Sequence, residues 1–109
     1  MLCASKYREK LNLNNNKISH VPDNTFNDSE KLTHLNLSSN MISEFELNTF
    51  EPLNSLFELN VTNNKLKSFP LQLLNKQKNM NLLVLSKNNI QDIKKFFQLD
   101  SSNSNSASL

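Results

Sequence analysis

Four asparagines stand 24 residues apart, at Asn16, Asn40, Asn64 and Asn88. A primary amide carries two donors and an acceptor. An asparagine recurring at a fixed step among apolar residues is therefore suited to pairing backbone groups that a turn leaves unmatched. That is hydrogen-bond chemistry rather than catalysis, and the other reactive side chains are sparse. His20 and His34 fall at different positions within the 24-residue step, and neither has a second histidine or a carboxylate at metal-ligand spacing on a shared element. Cys3 is the single cysteine, so it closes no internal disulfide and forms no multi-cysteine zinc site. Glycine is absent, which excludes phosphate-cradling loops, dinucleotide fingerprints and the sharp nucleophile elbow in their usual forms. Nothing favours a Ser/His/Asp set. No catalytic residue, cofactor or metal is expected.

The elements that must hold the asparagines follow from the same step. Leu11, Leu35, Leu59 and Leu83 form one apolar column ahead of them, and Leu13, Leu37, Val61 and Leu85 a second. Behind them run Ile18, Ile42, Leu66, Ile90 and then Val21, Phe45, Phe69, Ile93. Alternation such as Leu35–Asn36–Leu37 predicts a short strand with its leucines inward. Equal units with equal strands predict stacking into one parallel sheet, with each asparagine lying where the chain leaves its strand. The abundant asparagines, tolerant of left-handed backbone, are expected to take the turn positions that glycine would otherwise fill. Pro22 and Pro70, at equivalent positions, fit a non-helical return. Phe26 and Phe50 are expected to point inward and stack as a second core layer. That column decays to Leu74 and then Gln98, with Phe96 and Phe97 placed to fill the same space. The first position reads Arg8, Leu32, Leu56, Met80, so the first unit is irregular, and Leu32 to Ser55 is the unit that fits throughout.

This pattern resembles the leucine-rich repeat family, in its typical length class of about two dozen residues. The resemblance spans residues 8 to roughly 100 and implies an α/β solenoid. Such a fold has a parallel β-sheet on the concave face and irregular or short helical returns on the convex face. It also implies a non-enzymatic protein-binding module, of the kind found in Toll-like receptor ectodomains and extracellular adhesion proteins, with an intracellular scaffold or regulatory subunit as the alternative. Extracellular members bracket their repeats with cysteine clusters. Here only Cys3 stands where the last cysteine of an N-terminal cap would, which suggests a fragment.

A solenoid presents its outward strand positions to partners. These are Lys10, His34, Glu58, Leu82 in one row, Asn12, Asn36, Asn60, Val84 in the next, and Asn14, Ser38, Thr62, Ser86 in a third. The face begins polar and turns apolar at Leu82 and Val84. Phe57, whose column neighbours Glu9, Thr33 and Asn81 are polar, reads as exposed and joins the candidate contact site. Three N-glycosylation sequons begin at Asn27, Asn36 and Asn60. With twenty asparagines and eighteen serines or threonines in 109 residues, about three are expected by chance. Glycans on Asn36 and Asn60 would crowd the candidate face.

Length and charge complete the reading. The chain is about one small domain, divided as a lead-in at 1–7, repeats at 8–31, 32–55, 56–79 and 80–99, and a Ser/Asn-rich tail at 100–109 expected to lack order. The net charge is +2 with scattered lysines, which gives no footprint for nucleic acid or an anionic membrane. The chain shows no signal-peptide pattern and no apolar run long enough to span a membrane. Its partners are expected to be proteins. Uncapped ends would invite self-association and leave the isolated chain marginally stable.

Overall fold

The computed structural model describes residues 9–90 and 106–108. Its strands are β1 (Lys10–Asn12), β2 (His34–Asn36), β3 (Glu58–Asn60), β4 (Leu82–Val84) and β5 (Ser106–Ser108). They lie in chain order in one parallel sheet, with Lys10 opposite His34, Glu58, Leu82 and Ser106 in turn. The sheet therefore repeats the sequence step: identical spacing puts each residue beside its equivalent in the next unit.

Each strand is only three residues long because the backbone soon turns away. Asn15, Ser39, Asn63 and Lys87, one per unit, take φ between 56° and 58°. Asparagine fills two of these left-handed positions, as expected, whereas serine and lysine fill the others. For an ordinary L-residue that conformation costs about 1–2 kcal/mol. The surrounding bonds outweigh it: Asn15, Ser39 and Asn63 donate their N–H to the carbonyls of Ser38, Thr62 and Ser86 at 3.1, 2.8 and 3.0 Å.

The ladder asparagines then lock the turn to the next unit. Asn40 accepts from Ile18 N at 3.1 Å and directs Nδ2 at the carbonyls of Leu13, Leu37 and Ser38 at 3.0 to 3.1 Å. Asn64 repeats this on Ile42 N and the carbonyls of Leu37, Val61 and Thr62, and Asn88 on Leu66 N and those of Val61, Leu85 and Ser86. Among the described residues, Asn16, exposed at the β1 end, directs Nδ2 at Leu13 O and Asn14 O alone.

The core lies beneath the sheet, in two layers. Leu35, Leu37, Leu59, Val61, Leu83 and Leu85 are buried below the strands, with Leu32 and Leu56 at their entrances. Toward the convex side, Phe26 and Phe50 are fully buried with ring centroids 6.5 Å apart and planes inclined by 15°. The stack continues: Phe50 lies 6.5 Å from Phe69, and Phe45 lies 4.8 Å from Phe50. Leu74 takes the Phe50 position in the next unit and is likewise buried.

The convex returns are turns in the first two units and a 3-10 turn at Leu71–Leu74 in the third. Pro70 precedes it with φ −61° and ψ 139°, its ring holding the angle needed to start the turn. Gln77, buried where the preceding unit has Leu53, donates Nε2 to the carbonyls of Phe50 at 2.7 Å and Leu53 at 3.2 Å. This inter-unit tie is invisible to an apolar-column analysis.

The tail differs from expectation at three residues. Ser106–Ser108 pair with β4, because an open strand edge offers backbone donors and acceptors that any extended segment can meet. The lead-in, Cys3, Arg8, Phe96 and Phe97 lie outside the described residues.

Candidate binding surface

The sheet's outward side chains form the surface. Every inward residue of a strand is committed to the core, so the alternate residues must face away from it. Lys10, Asn12, His34, Asn36 and Glu58 line a shallow depression of about 390 Å³ over β1, β2 and β3. Lys10 and Asn12 are exposed, while His34, Asn36, Ser38, Glu58, Asn60 and Thr62 are half-buried by their neighbours. The sheet thus brings together residues that the sequence spreads over 53 positions, Lys10 to Thr62.

Leu82 and Val84 on β4 are half-buried rather than fully exposed. Phe57 is 43% exposed, and its ring centroid lies 5.8 Å from that of His34. A sequence that puts phenylalanine at an otherwise polar column thus yields an aromatic edge beside an imidazole.

His34 is held from below. Thr33 Oγ1 lies 3.0 Å from Glu9 O and 2.8 Å from His34 Nδ1. A hydroxyl has one hydrogen. With Glu9 O accepting it, Thr33 Oγ1 is left to accept from Nδ1. Thr33 was not singled out as a site residue from sequence; only its adjacency to His34 pointed there.

The second row has its own lock. Asn12, Asn36 and Asn60 each accept, through Oδ1, the backbone N–H two residues on: Asn14 at 3.1 Å, Ser38 at 2.9 Å and Thr62 at 3.0 Å. These are Asx turns, in which a side-chain carbonyl imitates a backbone turn. Val84 cannot make one, so the row ends at β3. In the third row, Thr62 Oγ1 and Ser86 Oγ lie 3.4 Å apart.

Of the sequon asparagines, Asn27 is exposed in the first convex turn, whereas Asn36 and Asn60 are the Asx residues of the concave face. Among the described residues no group of three or more His, Cys, Asp or Glu side chains is placed to hold a metal ion. No helix there is long and apolar enough to cross a membrane.

Comparison with known proteins follows this geometry. A leucine-rich repeat protein of Leptospira interrogans has a structure similar to this one, with a TM-score of 0.77 and 25% identity over 93% of this chain and 25% of that one. The leucine-rich repeat domain of APL1B is similar in fold, with a TM-score of 0.78 and 23% identity over 92% of this chain and 29% of that one. The chain therefore spans less than a third of either structure. The comparison with curated proteins gave no match. A family model described as "Leucine rich repeat" matches residues 9–66, more than half of the chain. With the 24-residue register of its strands and its asparagine ladder, the chain belongs to the leucine-rich repeat family.

Proposed function

We propose that this chain is a non-enzymatic protein-recognition module that binds its partner on the concave sheet face, as part of a cell-surface or secreted receptor or adhesion protein. Leucine-rich repeat domains generally mediate protein–protein binding. The observation that carries the reading here is the exposed Phe57 ring beside His34, itself one of the residues lining the polar depression over β1 to β3. Exposed aromatics at the edge of a preformed concavity are the usual anchors of a contact surface. The extracellular setting rests on the repeat class. The scaffold alternative rests on the lone cysteine. Residues 8–99 form the repeat domain in this reading. In this reading the isolated chain is marginally stable and prone to self-association through open sheet edges.

The test is site-specific photocrosslinking of the protein expressed with its flanking coding sequence in its native cells. A photoreactive residue at position 58, on the concave face, is expected to give a discrete protein adduct, and one at Leu47, 63% exposed on the convex side, to give none. Adducts from position 47 alone would overturn the assignment of the face. Retention of the adduct at position 58 in a Phe57→Ala, Val84→Ser variant would remove those residues from the site.

A further inference from the structure

The Asx turns give the concave face a chemical polarity. An asparagine on a protein surface ordinarily offers a donor and an acceptor together. In Asn12, Asn36 and Asn60 the oxygen is already engaged by the N–H two residues ahead, and among the described residues no acceptor lies on Nδ2. The row therefore presents donors, held in one orientation and spaced by the sheet at about 4.8 Å. Lys10 adds a cation at the β1 end of the adjoining row. Glu58, two strands along that row, sets the opposite charge before the apolar end at Leu82 and Val84, while the Phe57 ring lies beside His34.

We propose that the ligand of this face is an extended peptide segment laid across the strands, with a carboxylate side chain over Lys10, Asn12 and Asn36 and a bulky apolar side chain over Leu82 and Val84. This rests on the reading of the concave face as the binding surface and specifies what that surface takes. Charge and donor complementarity fix the acidic end, and Glu58 repels the same residue in the reversed orientation. From β1 to β4 is three strand spacings, about 14 Å. At about 3.3 Å per residue, this places the acidic residue roughly four positions from the apolar one. The donors are preorganised by the turns, so little side-chain freedom is lost on binding.

The experiment uses two fluorescein-labelled peptides on the full chain, followed by fluorescence anisotropy. One carries aspartate and leucine separated by three serines; the other has lysine in place of the aspartate. The aspartate peptide is expected to bind at least about tenfold more tightly, since charge-assisted bonds replace a like-charge repulsion at Lys10. Asn36→Asp keeps an oxygen for Ser38 N–H but replaces the Nδ2 donors with a second anionic oxygen, so it is expected to abolish or reverse the preference while the thermal melt is retained. Asn12→Asp, at an exposed position, makes the same inversion should Asn36→Asp fail to fold. Equal binding of the two peptides, preference for lysine, or an Asn→Asp variant with unchanged preference would overturn the proposal. So would absence of binding by either peptide at millimolar concentration. In that last case the concave face is still decided separately by the crosslink at position 58, which does not depend on peptide chemistry.

Discussion

Replacing Asn64 with alanine tests the ladder at one of its two buried asparagines, Asn40 being the other. Asn64 is 8% exposed and holds Ile42 N at 3.0 Å while covering the carbonyls of Leu37 and Val61 at 3.0 and 3.2 Å. The substitution strands a buried N–H and withdraws a donor from carbonyls shared by two units. Each orphaned group carries about 1–3 kcal/mol. Because Leu37 and Val61 also sit beside other donors and the site relaxes, the expected loss is about 2–3 kcal/mol at the upper end of a single orphan. Among the described residues Asn16→Ala removes two contacts, to Leu13 O and Asn14 O, both exposed, and water can replace them, so its cost is expected to stay below about 1 kcal/mol. Urea unfolding followed by circular dichroism measures both, with equal slopes required for comparison. A domain of this size has on the order of 5–15 kcal/mol in all, so the Asn64 variant should show a clear fall in midpoint. If Asn64→Ala were neutral, or equal in cost to Asn16→Ala, the ladder would not be what ties the units together.

Three further outcomes follow from individual positions. Phe50→Ala removes a ring that touches Phe26, Phe45 and Phe69 and is expected to cost about 3–5 kcal/mol in the same urea assay, whereas Phe50→Leu, which copies Leu74 of the next unit, should cost clearly less. Lys87→Asn puts at φ 57° the residue that occupies the equivalent turn in two other units, and should raise stability by about 0.5–1 kcal/mol, read as a higher melting temperature. Phe57→Ala, at a 43% exposed ring, should leave the melt within about 0.5 kcal/mol of the parent while reducing partner binding; a large loss of stability would make Phe57 a packing residue instead.

The depression over β1 to β3 was only partly legible in sequence. Lys10, His34 and Glu58 could be set in one row because the 24-residue step aligns them and strand alternation turns them outward. Thr33 escaped notice because its bond to the imidazole depends on a carbonyl in the preceding unit, Glu9 O. Gln77 escaped for the same reason, since a polar residue in a core column makes sense only once the carbonyls of Phe50 and Leu53 are seen beneath it. The strand at Ser106–Ser108 was missed because backbone pairing needs no apolar signature.

The sequence by itself determined the unit, its period, its inward columns and therefore the parallel register, because each of these is a local pattern repeated at a constant step. Tertiary structure decided what lies between units: which carbonyl each ladder amide meets, which turn residue takes positive φ, and where Phe57 comes to rest against His34. It also decided the direction of the concave amides. Whether Asn36 keeps its oxygen free for a partner depends on whether Ser38 N–H engages it, and the folded backbone geometry decides that.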